Sequence, residues 1–391
     1  MARLGDVCEK ITDYVASGSF AALKENVLIT NEENYAIMVK TADFSNGFTK
    51  GLTYTDKRGY DFLRNSNLFG GELILSNIGS IGKVFKVPYL ECPMTLASNT
   101  VMVKTPTPEL SDYLYYYFLS PSGYKNLLSI SSGTSMLKFN KTELKKLEVP
   151  VPDIDKQRHI IAVMDKVSSL IAQRKEQLAK LDELVKARFV EMFGNDDYPS
   201  EQLNQNVVEM FIGPFGSSMK NEFFVDQKDG FCMVYEQKHA IQKTMDVPTR
   251  YITKGKYDEL KRFTVMPGDI IVSCRGTIGE AFLVPDDAPM GIMHPSIMKI
   301  RLNGGKYNQR FFLFALDQYM MEHNDKAKGS GVKMAVSAAD LGKSDFVCPP
   351  LEVQNEFSFF VEQTNKTKLT IQASLDKLEV MKKALMQEYF G

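Results

Sequence analysis

Tryptophan is absent from this 391-residue chain, and no charge of one sign prevails: 47 Lys and Arg stand against 48 Asp and Glu. Cut after residues 152, 194 and 350, no segment departs from neutrality by more than two charges. Bulk charge therefore gives no support to nucleic-acid binding, and any DNA contact requires basic residues gathered on one face. Long apolar runs are missing too. The longest bursts, such as Phe311–Leu316, are far too short to cross a bilayer, so no membrane partner is expected. The opening MARLGDVCEK lacks the apolar core of a secretory signal. The five cysteines (Cys8, Cys92, Cys232, Cys274 and Cys348) are odd in number, scattered and never in a CxxC pair. That pattern fits a reduced, cytoplasmic chain without a zinc site.

Catalytic patterns are wanting as well. His159, His239, His294 and His323 have no ligand-like spacing to one another or to cysteine, which favours surface or capping roles over metal binding. There is no Walker A loop and no G-x-G-x-x-G. Cys348-Pro349-Pro350-Leu351 is not the [Asn/Asp]-Pro-Pro-aromatic motif of amino-methyltransferases. No catalytic residue, metal or cofactor is expected, and an enzyme acting alone is disfavoured. With 44% hydrophobic and 24% charged residues the composition is that of ordinary globular protein, and the length accommodates two or three domains.

What is present is a repeat. Shifted by 197 positions, Gly194 falls on Gly391, the Tyr54, Lys57, Tyr60 and Asp61 set on Tyr251, Lys254, Tyr257 and Asp258, and Gly71, Ile74, Ser76, Gly79 and Gly82 on Gly268, Ile271, Ser273, Gly276 and Gly279. The match is ungapped over long stretches, and its period is too long for a solenoid of short units. Each copy ends in a helical pattern. In Asp155–Gly194 an a set of Ile160, Val167, Arg174, Leu181 and Arg188 and a d set of Met164, Ile171, Leu178, Val185 and Met192 are apolar at eight of ten positions. Asp153 and Asp155 suit the helix start, and Gly194 suits its end. The corresponding seam of copy two carries Lys368 and Lys382 opposite apolar residues of copy one, and Ile371 and Leu385 opposite Arg174 and Arg188. Such polar placement either fixes register or lets long side chains reach solvent at the seam edge.

The globular parts read as α+β with a mostly antiparallel sheet. GELILS (71–76) and GDIIVS (268–273) are strands, joined by 83–87, 100–104, 281–284 and 296–302, with helices over 113–119 and 309–319. Pro150-Val151-Pro152 and Pro349-Pro350 close each domain and open each long helix. The expected order is a domain at 1–150, a helix at 151–194, a second domain at 195–348 and a second helix at 349–391. A helix of about 38 residues is roughly 57 Å long. If the two seams pair antiparallel as a coiled coil, the homologous domains hang at opposite ends of a rigid spacer about a pseudo-two-fold axis, the symmetry that meets two DNA half-sites about 34–36 Å apart.

This order of domain, long helix, related domain and related long helix resembles the specificity subunit of type I restriction-modification systems, over essentially the whole chain. The residues that carry it are GELILSNIGSIGKV (71–84), SGTSMLKFNKTELKKLEVPVPDIDKQRHI (132–160) and the helix ending in Met192-Phe193-Gly194. In copy two they are RYITKGKYDELKRFTVMPGDIIVSCRGTIGEA (250–281), SGVKMAVSAADLGKSDFVCPPLEVQNEF (330–357) and the ending Tyr389-Phe390-Gly391. Copy two departs where Cys348 replaces the first Pro of the P-x-P boundary. The resemblance implies two target-recognition domains, each reading half of a split, asymmetric site in double-stranded DNA. It also implies that the helices set the spacer and dock two modification (methyltransferase) subunits, with restriction subunits around them. A protein scaffold with duplicated interaction domains and no DNA reading is the alternative, favoured by the near-zero net charge.

On the DNA-reading view the contacts come from polar residues near the Gly-rich turns Gly79–Gly82 and Gly276–Gly279, which follow strands and read as hairpin turns whose Gly permit positive φ. Ser76, Asn77, Ser80 and Lys83 form one cluster, and Ser273, Arg275 and Thr277 its counterpart. Thr134, Ser135 and Lys138 follow one Ser-Gly pair, while Lys328 and Lys333 flank the other. Lys57, Arg58, Arg250, Lys254, Lys256, Lys261 and Arg262 complete the candidate DNA-binding set. Arg suits direct guanine reading and Lys suits phosphate contact.

Overall fold

The computed structural model describes the chain except Ser80, Thr134, Ser135, Asp196, Gly276 and residues 329–336, and except the side chains of 323–328. Its contacts divide it into two units, Met1–Gln177 with Ile371–Gly391, and Leu178–Thr370. Each unit thus holds one globular part and a portion of both long helices.

In the first unit a four-stranded antiparallel sheet runs in the order Lys10–Asp13, Thr100–Lys104, Leu73–Ser76, Val84–Lys86. A second sheet runs Tyr54–Thr55, Ala36–Val39, Met94–Leu96, Asn67–Leu68. Its pair Ala36–Val39 and Met94–Leu96 is parallel, which the long connection between them permits. Ala2–Arg3 pairs with Glu148–Val149, tying the start of the chain to the domain exit. The sequence pattern pointed to one mostly antiparallel sheet; the unit instead has two four-stranded sheets with one parallel contact.

The second unit repeats these strands and adds one. Val207–Ile212, Ile297–Leu302, Ile270–Ser273 and Ala281–Leu283 form the antiparallel sheet. Phe224–Val225, Tyr251–Ile252, Cys232–Tyr235, Gly291–Met293 and Thr264–Val265 form the other, with one added edge strand at Phe224–Val225 and the same parallel pair, here Cys232–Tyr235 with Gly291–Met293. Ser200–Gln202 pairs with Asp345–Val347.

Each antiparallel sheet is covered on both faces, which explains its continuous aliphatic strands. Leu73, Leu75, Val101 and Val103 point into a core shared with the helix Pro108–Leu119, while Ile74 and Met102 point into a core shared with the second sheet. The alternation follows from the two-residue period of a strand. Ile270, Val272, Met298 and Ile300 divide from Ile271 and Ile297 in the same way.

The long helices span Ile154–Phe193 and Leu351–Phe390, 40 residues each, about 60 Å of helix. Asp153 starts the first, its carboxylate accepting the N–H of Lys156 at 2.9 Å. One turn in, Gln157 donates its side-chain amide back to the Pro152 carbonyl at 2.8 Å. Gln354, 197 positions on, does the same to Pro349 at 2.7 Å. It also accepts the Asn308 N–H at 2.8 Å and donates to the Lys306 carbonyl at 2.9 Å. These glutamines fix the angle at which each helix leaves its domain. At the far ends Gly391 has φ of +83°, the left-handed backbone of a helix cap, whereas Gly194 ends its helix without positive φ.

Both helices enter both cores. In the first unit Ile160 and Met164 pack with Met386 and Phe390 under the helix Pro108–Leu119, and Lys175 pairs with Glu379 at 3.0 Å. In the second, Val185 and Phe193 pack with Phe357. Phe357 is fully buried, with the rings of Phe189, Phe193, Phe311 and Phe314 at 5.2–6.1 Å. Of the polar seam residues, Arg188 reaches Glu356 of the other helix at 3.1 Å and Lys368 reaches Asp182, while Arg174 stays on its own helix with Gln177 at 2.8 Å. Lys382 is half-buried, and desolvation, reinforced by Lys175, pulls its ammonium below the ordinary value.

Truncating Phe357 to Ala removes the residue on which four rings converge. The expected loss is about 3–5 kcal/mol, read as a lower urea midpoint for the transition that exposes the Leu178–Thr370 unit.

Candidate nucleic-acid interface

The turns that follow the central strands are built as hairpins. Gly79, Gly82 and Gly279 have φ of +75°, +89° and +89°, a region that a Cβ disfavours. In the first unit this turn is stitched to the segment 131–139. Gly79 donates its N–H to the Leu137 carbonyl at 3.0 Å, Phe139 donates to the Asn77 carbonyl at 3.1 Å, and the Asn77 amide donates to the Phe139 carbonyl at 3.2 Å. Two sequence-distant loops therefore form one surface that carries Asn77 with the exposed Lys83 and Lys138. Ser80, Thr134 and Ser135, named as candidates in the same loops, lie outside the described residues. Lys57 and Arg58 are exposed on the short helix Lys57–Phe62, Lys57 paired with Asp61 at 2.9 Å and Arg58 bonded to Asn26 at 2.8 Å.

Two candidates need correction. Ser76 and Ser273 end their strands with buried side chains. Ser273 Oγ accepts the Glu280 N–H at 3.1 Å and donates to the Thr277 carbonyl, and Ser76 Oγ lies 3.5 Å from the Ile78 carbonyl. Their hydroxyls shape the turns instead of facing a ligand.

In the second unit Arg275 and Thr277 are exposed at the matching turn. Lys254 and Lys256 lie on the helix Lys254–Leu260, followed by the exposed Lys261 and Arg262. Aromatic faces hold several of these cations. Lys256 sits 4.0 Å from the Phe223 ring, Lys254 5.0 Å from Phe231, and Arg262 5.4 Å from Phe211, geometry that orients a cation, while Lys254 also pairs with Asp258 and Lys256 with Glu259 at 2.7 Å. Arg250 is more committed: its guanidinium stacks on Phe224 at 3.7 Å and pairs with Glu236. Lys333 and the side chain of Lys328 lie outside the described residues.

Sequence reasoning missed two charge clusters of the second unit. Lys299 is 1% exposed, donating to Glu209 at 2.6 Å and to the Thr264 carbonyl at 2.8 Å. Beside it Arg301 forks onto both oxygens of Asp269 at 2.7 Å and reaches Glu209 at 3.1 Å. The hydrogen bond from Lys299 holds the Glu209 carboxyl below its usual range. The available signal was a Lys at an inward position of Ile297–Leu302, where the first copy has Met102. The second cluster surrounds Glu236. Burial pushes its carboxyl up, but Arg250 and Lys238 together bring it below the ordinary value. Next to it His239 is fully buried, and its Nδ1 accepts the Glu236 N–H at 3.0 Å. Burial keeps this imidazole neutral by lowering its pKa, so His239 is an internal cap.

Three of the five thiols are held quiet by burial. Burial pushes the Cys8 thiol up to about 12 and those of Cys232 and Cys274 up to about 11, so they stay protonated at neutral pH. Among the described residues no group of three or more His, Cys, Asp or Glu side chains could hold a metal ion, and no helix is long and apolar enough to cross a membrane.

Because the Glu236 and Glu209 carboxyls are depressed, their stabilisation is present above the usual carboxylate pKa and is lost as pH falls through the folded value. The neutral buried His239 adds to the acid loss, since it must charge on unfolding. Glu236→Gln is expected to destabilise the second unit by about 3 kcal/mol at pH 7 and to flatten its stability loss on acidification, measured by urea melts across pH 3–7.

The family model for the type I restriction modification DNA specificity domain matches residues 1–182 and 221–380. A Methanocaldococcus jannaschii protein bearing the name type I restriction enzyme MjaX specificity subunit is 21% identical over 316 residues, 78% of this chain and 73% of that one. The type I restriction enzyme MjaIX specificity subunit of the same organism is 28% identical over 134 residues, 33% of this chain and 30% of its own length. Among solved structures, the S subunit of the M. genitalium type I restriction-modification system aligns over all of this chain and 95% of its own, with a TM-score of 0.56 and 13% identity. A chain from a structural study of complex assembly in the type I R-M system aligns over all of this chain and 96% of its own, with a TM-score of 0.60 and 14% identity. At those identities the structural likeness establishes the fold, and the family match is independent of it. The duplicated domain-and-helix chain belongs to the type I restriction-modification DNA specificity family.

Proposed function

We propose that this chain is the sequence-reading subunit of a type I complex, with residues 1–150 and 195–348 each recognising one half of a bipartite, asymmetric site in double-stranded DNA. The observation that carries the proposal is the duplication of the strand framework with unlike chemistry at equivalent loop positions. Two copies of one scaffold give two readers, and their different side chains give two different half-sites.

The long helices, residues 151–194 and 349–391, pair on this reading as an antiparallel coiled coil with pseudo-two-fold symmetry. The contacts Lys175–Glu379, Lys368–Asp182 and Arg188–Glu356 support it, since the second number falls as the first rises. Helices of this length hold the two half-site centres at a fixed separation, so the gap between the half-sites is constant. Their outer faces are polar and available to two modification subunits and, beyond them, to restriction subunits. Methyl transfer and cleavage then reside in those partners, and this chain supplies no catalytic residue and needs no cofactor. The exposed candidates Lys57, Arg58, Lys83, Lys138, Lys254, Lys261, Arg262, Arg275 and Thr277 are the proposed DNA-facing set. Near-zero net charge then places much of the phosphate contact on the partners.

The test is a selection from randomised duplex DNA by the assembled complex at two salt concentrations. A split motif is expected, with affinity falling as salt rises. Replacing residues 1–150 by another domain of the family should change one half of the motif and leave the other intact. A change in both halves contradicts independent reading.

A further inference from the structure

The two units differ in chemistry where three strand ends meet. In the second unit Cys232–Tyr235, Gly291–Met293 and Ile270–Ser273 finish side by side. His294 donates its N–H to the Tyr235 carbonyl and Cys274 donates to the Ser296 carbonyl, both at 2.9 Å. The residues that follow these strands are Glu236 and Lys238, His294, and Arg275. Arg250 joins them because its carbonyl accepts the Val234 N–H at 2.9 Å. The same backbone bonds occur in the first unit, Ala97 to Val39, Asn77 to Asn99, and Met38 to Thr53. They identify the equivalent positions without ambiguity. Lys238, Arg250, Arg275 and His294 occupy the places of Ala42, Thr53, Ile78 and Ala97, and Glu236 that of Lys40. One copy of the fold carries three cations and an imidazole at a corner where the other carries two alanines, an isoleucine and a threonine.

The corner is organised in two layers. Below, Glu236 is buried and holds both Lys238, at 2.8 Å, and Arg250, whose guanidinium is also stacked on Phe224. In the first unit the polarity is reversed: Lys40 donates to the Thr53 hydroxyl at 2.7 Å and to the Gly51 carbonyl at 3.1 Å. Above, Arg275 is exposed, and among the described residues no carboxylate pairs with it. His294 is partly exposed. Its Nδ1 accepts the Ser296 N–H at 3.2 Å and lies 2.7 Å from the Ser296 hydroxyl. With Nδ1 as acceptor, Nε2 carries the proton and is a donor. Burial favours this neutral form. Glu236 opposes that, and Arg250, Arg275 and Lys238 reinforce it.

We infer that this corner is the base-reading point of the second unit, with Arg275 reading a guanine edge, Lys238 and His294 donating to the adjoining backbone, and Glu236 and Arg250 acting as positioning residues beneath them. An exposed Arg whose donors no described residue claims matches the two acceptors of guanine in the major groove, and its counterpart Ile78 offers only apolar contact, which suits a thymine methyl. The half-site read by the second unit therefore contains a guanine at the position this corner faces. The first unit imposes no such requirement at its own corner. This inference rests on the DNA-reading function proposed above and assigns that function to particular residues.

The experiment is the same duplex selection, run with complexes of the full-length chain carrying Arg275→Ala, Arg275→Lys, Lys238→Ala or Glu236→Gln, each shown to keep the Leu178–Thr370 unit folded at the assay temperature. Arg275→Ala should lose about ten- to a hundredfold preference at one G·C pair. The affected half should be the one left intact by exchange of residues 1–150. Arg275→Lys keeps the charge but loses the fork, so it should weaken that base preference while retaining overall affinity. Lys238→Ala should weaken all sequences alike and reduce the salt slope by about one. Glu236→Gln should blur the same base pair that Arg275→Ala affects while the other preferences of that half-site persist, whereas a general loss of the second unit's fold would weaken the whole half-site. A wild-type motif whose preferences survive Arg275→Ala overturns the inference and leaves the DNA-reading function standing. So does a variant whose altered base lies in the half governed by residues 1–150. A wild-type complex that enriches no motif removes the function and the inference with it.

Discussion

Neither globular part closes its core alone. Under the first antiparallel sheet the layer is completed by Ile160 and Met164 from one long helix and Met386 and Phe390 from the other. Under the second it is completed by Val185, Phe193 and Phe357. Burial of such side chains contributes about 1.5–3 kcal/mol each, so folding of each unit and docking of the helices are the same event. A helix that were only a tether could vary its exit angle. These cannot, because Gln157 and Gln354 bind back to the proline boundaries and apolar rings wedge the ends.

Duplication then supplies two copies of one platform, and divergence works on its polar positions. The paired strands, the parallel contact and the hairpin glycines recur in both units. What differs is the chemistry placed on them: Lys299 for Met102 in the sheet interior, and cations around a buried Glu236 for a corner built on Lys40, Ala42, Thr53, Ile78 and Ala97. Buried charges of this kind are tolerated only when every oxygen and ammonium finds a partner. The bonds of Lys299 and Arg301 to Glu209, Asp269 and a backbone carbonyl meet that condition. Polar divergence inside a fixed backbone is how a family can change what it reads without changing how it folds.

The architecture was legible in the sequence because it rests on periodicity. The 197-residue offset, the heptad pattern and the glycine turns all register as spacing, and spacing survives without coordinates. The second sheet of each unit was not legible. Its strands are two to four residues long, as in Tyr54–Thr55 and Asn67–Leu68, too short to carry an alternating pattern. Site residues were the least legible. Ser76 and Ser273 looked like surface polar groups, but their hydroxyls turn inward to carbonyls at the strand ends. Glu236, Lys238 and His294 lie apart from the glycine turns in sequence and come beside Arg275 through the parallel pairing of Cys232–Tyr235 with Gly291–Met293 and the antiparallel pairing of Ile270–Ser273 with Ile297–Leu302, long-range contacts that no local pattern announces.

The central claim is that this chain alone determines which DNA sequence its complex modifies, through two unlike readers. The most direct measurement maps modified bases across the genome of a host that carries the partner subunits, with and without this chain. The account predicts a single split motif, two short unlike halves separated by a gap of fixed length, that vanishes when the chain is removed. An unchanged pattern of modification without the chain, or a motif with no gap, would contradict it.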